Sequence, residues 1–467
     1  MLCTGQPQRR MTVKNTTKRF LCPTGYLGYT PFKIDSFRRG VETNPDFIVA
    51  DSGSDDIGPV LLGSDTSCSP LDGQKQDLEQ MLLSSRRLGV PMIIGSAGDT
   101  GANSRVDLYV GIIKDLAAKH NLSGFKLGYF YSEVEKDLLR EKLHQGEVIE
   151  GLHGRSELTS PDVEATDRVV ALAGVHPYIK LLDLGADVII GGRGSDNAIF
   201  AAPAIRKGFP ESLSYYLGKV LECASFCAEP YGGKESVIGE ISMQDVKVTA
   251  MHPEQRCTVA SVAGHAIYER ANPYYEHVAG GVLEMSQCRY EQYGEKTTRI
   301  TGPEFRPATE FRVKLEGSGY VGERYVGIVG VRDPDTIANV DKMIEWCRDH
   351  VREKFGDEGY QLFFHVYGRD AVMGNLEPCK TASHEVCLVI QGIAPTKAMA
   401  EEVCGIATRQ TFYARIPESK GTAGMVTVLG LNEVLPGKPA YRWTISHTMR
   451  VDDPLELFPV HVTEAGQ

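Results

Sequence analysis

Across the first three hundred residues, apolar positions alternate between two spacings. Short consecutive apolar runs mark buried strands, and longer segments with apolar residues three or four apart mark helices. Residues 46–51 (Asp-Phe-Ile-Val-Ala-Asp) read as the first strand and 52–59 as a polar loop. A helix is expected over 76–88, with Leu78, Met81 and Leu82 on one face and Gly89 as its stop. Residues 90–94 form the second strand, 95–103 a glycine loop, and Ser104 then opens a helix with Asp107 as reciprocal capping partner. Val106, Tyr109, Val110, Ile113, Leu116 and Ala117 give that helix an apolar stripe. A third strand is expected over 125–131, and Ser132 and Glu135 open a helix ending near Gly146. Ser160-Pro161 starts a helix running to Gly174, and 175–184 is a further helix closed by Gly185. Residues 185–197 read as a short apolar strand entering a glycine turn, followed by a helix over 198–207 stopped by Gly208. Strands alternating with helices at this spacing predict an α/β fold, a mostly parallel sheet with helices on both faces.

The rhythm then changes. A helical segment over 211–228 gives way to short strand-like pieces between 237 and 301, broken by Pro253, Pro273 and Gly280-Gly281. Beyond Gly302-Pro303 come strands at 311–315 and 324–331. A helix follows, opened by Asp333-Pro334 and carrying Ile337, Val340, Ile344, Cys347 and Val351 on one face. Strands at 360–367 and 384–393, a helix over 396–412 and a strand at 441–451 complete a C-terminal α+β domain, open to a ferredoxin-like arrangement. The expected division is a flexible basic arm over 1–23, an α/β domain over 24–302 and an α+β domain over 303–467.

Composition narrows the class. With 42% hydrophobic and 24% charged residues the chain is that of an ordinary soluble globular protein. Its net charge of −11 argues against nucleic acid or an anionic membrane as main partner. The 11 cysteines are scattered without a C-x-x-C, which points to reduced, buried thiols. A cytoplasmic location and a homo-oligomer are expected. Arg9, Arg10, Lys14, Lys18, Arg19 and Lys33, with no acid among the first 34 residues, leave the mitochondrial matrix as an alternative.

Three strand-to-loop junctions share one composition: Asp51-Ser52-Gly-Ser54-Asp55, Ser96-Ala-Gly98-Asp99-Thr100 with Asn103 beyond it, and Gly192-Arg193-Gly194-Ser195-Asp196-Asn197. In a parallel sheet all carboxyl ends lie on one edge, so these loops are expected to converge there. Glycines let backbone N–H groups approach an anion, and Arg193 can hold a carboxylate or phosphate in two hydrogen bonds. Asp51, Asp55 and Asp196 are the expected catalytic residues beside Arg193. The serines, glycines, Asp99, Thr100, Asn103 and Asn197 are the expected ligand contacts. For any one loop the better explanation is a tight turn with an aspartate at a helix N-terminus; three together favour a site. No Walker P-loop, G-x-G-x-x-G, G-x-S-x-G or H-E-x-x-H is present. No metal site is expected, although clustered aspartates would suit magnesium. Glu229 beside the Cys223–Cys227 segment, and Tyr367 and Arg369 at a strand end, are further ligand-binding candidates. Glu222 and His447 are weaker ones, and Cys223 and Cys227 read as packing residues.

Residues 47–60, 94–107, 185–197, 222–229, 366–374 (Val-Tyr-Gly-Arg-Asp-Ala-Val-Met-Gly) and 449–459 (Met-Arg-Val-Asp-Asp-Pro-Leu-Glu-Leu-Phe-Pro) resemble the acyclic terpene utilisation (AtuA-like) family. The resemblance spans about residues 24–460, and its most specific piece is the run over 451–459. Asp99 and Thr100 stand where small residues would be usual in its glycine loop. The family is named for bacterial breakdown of citronellol and geraniol, whose intermediates travel as acyl-CoA thioesters. The resemblance therefore implies small-carboxylate or acyl-CoA chemistry. The function expected is a lyase, hydratase or isomerase that binds an anionic substrate without an organic redox cofactor. The alternative is a non-catalytic ligand-binding or assembly subunit.

Overall fold

The apolar runs Lys18–Cys22, Phe47–Gly53, Met92–Asp99, Val188–Ile190 and Phe125–Phe130 lie side by side, mutually parallel, at the centre of one ten-stranded sheet. The structure is a computed structural model and describes residues 17–416, 425–429 and 434–466. Side chains alternate across this sheet as strand geometry requires. Val49, Ile93 and Ile189 join one core, and Ile48, Ala50, Met92, Ile94, Val188 and Ile190 the other. Helices His176–Asp183, Ala198–Arg206 and Glu211–Leu221 pack into the first core, and Ile34–Glu42, Leu71–Leu88 and Asn103–Lys119 into the second. Helices thus cover both faces.

The sheet is mixed rather than mostly parallel. Outside the five central strands, Val237–Ile241, Val246–Ala250, Thr297–Thr301 and Arg289–Gln292 extend one side antiparallel, and Val460–Ala465 pairs antiparallel with Phe125–Phe130 at the other. Turns of a few residues join the first of these strands to the second and the last two to each other. Such hairpin connections leave no room for a crossover, so the direction must reverse.

Several local expectations shift. Lys18–Cys22 belongs to the sheet, not to an arm. Its apolar core is only Phe20-Leu-Cys22, all at 0% exposure, and its basic residues are held by Asp46 and Glu240. The part of the expected arm over 1–16 lies outside the described residues. The helix assigned to Ser104 starts at Asn103 without a side-chain cap, because the Ser104 hydroxyl donates to Asp65. That assigned to Ser132 starts at Lys136. Thr159 caps Ser160–Glu164, and the chain then becomes the strand Arg168–Ala171 instead of continuing to Gly174. The helical segment expected over 211–228 stops at Leu221 and gives way to a short 3-10 turn, Ala224–Cys227. A helix over Val259–Ile267, opened by a Thr258/Ser261 capping box, appears where only strands were expected.

The chain divides into two compact units, one of residues up to 317 together with those from 444 onward, the other of 318–443. The sequence placed its boundary at 302–303 and kept the C-terminal segment in the second domain. The closing strand Val460–Ala465, however, belongs to the large sheet. In the second unit, Val386–Ala394 pairs antiparallel with Gln361–Tyr367 on one side and with the later part of Arg312–Val331 on the other. Helices Val340–Phe355 and Lys397–Tyr413 share one core with them. No helix among the described residues is long and apolar enough to cross a membrane.

Candidate functional site

The three polar loops meet because their strands are neighbours. Asp51 aligns with Gly95, and Ile94 with Ile190, so the loops leave the same edge of the sheet. Backbone hydrogen bonds lock them together: the Ser96 and Ala97 amides donate to the Gly192 and Gly191 carbonyls, and the Arg193 amide to the Gly101 carbonyl. Gly101 has φ of +65°, and a Cβ there would stand 2.2 Å from the Arg193 nitrogen. Only glycine fits that approach.

Arg193 is 5% exposed and already has partners. Its Nε lies 2.9 Å from Glu316 Oε2 and its Nη2 3.4 Å from Oε1; Nη1 donates to the Ser96 hydroxyl at 3.2 Å. Lys314 bridges Glu316 at 2.8 Å and Asp55 at 2.7 Å. Although burial works against the charged forms, these cations hold the carboxyls of Asp55 and Glu316 below their ordinary range, Asp55 at about 2. The guanidinium therefore closes an internal ion network. The expected role of Arg193 as direct holder of a substrate carboxylate is corrected accordingly: its fork is filled by Glu316.

Asp51 and Asp196 behave differently. Asp51 is 2% exposed, accepts the Ser52 N–H at 2.8 Å and is hydrogen-bonded to the Asp196 carboxyl. Burial first, then the neighbouring Asp196 charge, pushes the Asp51 pKa well above its ordinary value. Asp196 is also raised by burial, with Arg193 opposing; their closest atoms are 3.7 Å apart. Burial and the mutual repulsion of these two carboxyls disfavour ionising both, and the upward push is stronger on the more deeply buried Asp51. The Asp196 side chain keeps 44% of its surface open.

That open surface faces two adjoining cavities. The larger, about 700 Å³, is polar, and Asp55, Ser195, Asn197, Lys219, Arg270 and Glu276 line it together with Asp196. The smaller, about 430 Å³, is lined by Tyr26, Tyr29, Phe226, Tyr231 and Tyr268, with Ser54 and Lys234. Asp56, Asp196, Glu222 and Glu269 belong to both. Glu222 is 7% exposed and paired with Lys219; burial pushes its pKa up to about 8 against the opposing lysine charge. Glu276 is likewise raised by burial and opposed by its partner Arg270.

The remaining sequence candidates separate cleanly. Ser54, Asp55, Ser195, Asp196 and Asn197 line the cavities, whereas Ser52, Ser96, Asp99, Thr100 and Asn103 are engaged in internal bonds. The Ser52 hydroxyl meets Tyr109 at 2.6 Å, Thr100 accepts from the Ala102 amide, and Asn103 accepts from the Ser132 and Glu133 amides. Asp99 accepts from Tyr26, Ser69, Ser67 and two backbone amides, and stays ionised because those donors outweigh its burial. Its departure from small residues thus anchors Tyr26, a cavity wall. Gly98, Gly192 and Gly194 give room to Arg105, Ser132 and Tyr178. Glu229 is exposed on a turn paired with Arg256 and lines neither cavity. Tyr367 and Arg369 belong to the second unit, where Arg369 pairs with Asp341 and Asp370. Burial raises the Cys223 pKa, leaving a protonated thiol beside Tyr268. Among the described residues no group of three or more His, Cys, Asp or Glu side chains is placed to hold a metal ion.

Sequence reasoning missed Lys219, Arg270, Glu276, Lys314 and Glu316. The last two carried a readable signal: Lys314 and Glu316 alternate with buried Val313 and Leu315 along a strand, so both charges share one face.

A family model described as "Acyclic terpene utilisation family protein AtuA" matches residues 19–436. No curated protein and no solved structure matches the chain.

Proposed function

Because the chain belongs to the acyclic terpene utilisation family, we propose that the Asp51–Asp196 pair is the proton-transfer centre of an enzyme of the lyase, hydratase or isomerase type. Its substrate is a small unsaturated branched acid or the corresponding acyl thioester. The observation that carries this reading is the carboxyl pair itself: Asp51, 2% exposed and outside both cavities, backs Asp196, which lines both of them, and burial raises the pKa of each. Carboxyl groups whose environments set them apart are how one site runs acid and base chemistry near neutral pH.

Asp196 acts as the base, taking a proton from carbon or from water. The Asp51 hydrogen bond stabilises it as a carboxylate between turnovers. Glu222, poised at about pH 8 and lining the same junction, delivers a proton to the other end of the reacting unit. Removal at one carbon and delivery at another shifts a double bond; delivery with attack of water hydrates it. Neither step transfers electrons to a cofactor. The aromatic chamber suits the branched hydrocarbon, since a pocket of this size and lining buries apolar surface around a few polar groups.

The test is a thermal-shift screen of unsaturated branched acids and acyl thioesters, with mass spectrometry and chromatography of each stabilising compound after incubation. Asp196→Asn should lower turnover by about 10²–10⁴-fold with binding retained. Stabilisation with no chemical change in any ligand would make the protein a binding subunit and end the enzymatic reading.

A further inference from the structure

Of the lysines and arginines lining the two cavities, four have a carboxyl group in direct contact: Arg193 has Glu316, Lys219 has Glu222, Arg270 has Glu276, and Lys314 has Asp55 and Glu316. Lys234 is the exception. It lines the aromatic chamber, and among the described residues no carboxylate lies within ion-pair distance of its ammonium. Its Nζ donates to the Tyr26 carbonyl and stands 5.8 Å and 5.9 Å from the centres of the Tyr26 and Tyr29 rings.

Lys234 has φ of +67°, the left-handed region, and directly follows Gly232 and Gly233. Tyr26, on which that side chain rests, is itself fixed through its hydroxyl by the buried Asp99. The ammonium is thus held at a set place in the chamber wall. Burial depresses its pKa, with Asp77 acting to raise it. An ammonium so placed gains most from an anion brought to it, because a charged hydrogen bond replaces lost hydration.

We propose that Lys234 is the anion anchor of the site, binding the carboxylate of an amphipathic acid whose hydrocarbon fills the aromatic chamber and whose reacting carbons lie at Asp196. The inference rests on the preceding reading for the identity of the reacting end only. It moves substrate-carboxylate recognition from Arg193, whose fork Glu316 fills, to a lysine in the turn after Gly233.

Calorimetric titration of the full-length protein with branched medium-chain carboxylic acids, their primary amides and the matching alkylammonium salts tests it. Wild type should bind the acid at least about tenfold more tightly than the amide, a difference expected for one charge-assisted bond. In Lys234→Met, which keeps the apolar stem, the ratio should fall to about one with amide affinity unchanged, and Lys234→Arg should restore most of it. A ratio unchanged in Lys234→Met, a preference for the ammonium compound, or no binding of any acid to wild type would overturn the proposal. Asp196→Asn separates the two readings: it should lose turnover but keep the acid-to-amide ratio. A wild-type protein that discriminates through Lys234 yet transforms nothing would leave the anchor standing and remove the enzyme.

Discussion

Glu316 lies 2.9 Å from Arg193, and both are almost fully buried, so each is a direct counter-charge of the other, with Lys314 also on Glu316 and Asp196 beside Arg193. Removing one partner leaves the other buried without that counter-charge, a loss of up to about 3–5 kcal/mol that the remaining neighbours reduce. Arg193→Met and Glu316→Leu should therefore each unfold at markedly lower denaturant, whereas the double variant should recover most of the loss; chemical denaturation of all four proteins checks this. A second test uses pH. Burial holds the His265 pKa at about 3 against an ordinary 6.5, so between those values the unfolded chain binds a proton that the native one does not. Stability must then fall as pH drops from about 6.5 towards 3. Asp51 has the opposite sign: its raised pKa makes the native state bind the extra proton above about pH 4, so its contribution falls as pH rises. Thermal melts across pH should show a flatter acid limb in His265→Gln and a flatter alkaline limb in Asp51→Asn. At this scale the sequence pointed to Asp51, Asp55, Arg193 and Asp196 as neighbours, because their strands end on one edge of the sheet, and the structure does bring them together. It hid what neutralises them: Glu316 lies 123 positions from Arg193, a distance no local pattern spans.

At the scale of elements, the site is held by helices packed too closely to admit side chains. Gly218 on Glu211–Leu221 faces the backbone of Asn197 at the start of Ala198–Arg206; a Cβ there would stand 2.2 Å from the Asn197 carbonyl oxygen. Gly218→Ala should force these helices apart and cost about 1–3 kcal/mol despite alanine's better helix propensity, read as a lowered denaturation midpoint. The helices with full apolar stripes, such as Asn103–Lys119, were legible from periodicity. Their starts were less so, because Ser104 and Ser132 look like caps but bond elsewhere. Ser132 donates to the Gly101 carbonyl and receives the Arg193 amide, which ties two of the site loops together. A hydroxyl before a helix has several possible acceptors, and tertiary structure chooses among them.

For the whole molecule, the paired α/β pattern gave both helical layers, while the direction of the outer strands depended on short hairpins that periodicity does not reveal. The second unit leaves the first after Gly317 and the chain rejoins it at Thr444; within the first unit, a Cβ on Gly317 would touch Ile445 at 2.7 Å. Replacing residues 318–443 by a short glycine-serine linker should therefore leave a first unit that unfolds cooperatively, seen by circular dichroism, and still carries the Asp51–Asp196 pair. The central claim is that this pair moves a proton to and from a bound substrate. Its most direct test is incubation of the ligands that stabilise the protein in heavy water, followed by mass spectrometry. Wild type should load deuterium at carbon, or hydrate the double bond, and Asp196→Asn should do neither while still binding. Ligands recovered unlabelled and unchanged from wild type, or labelled equally by Asp196→Asn, would contradict the account.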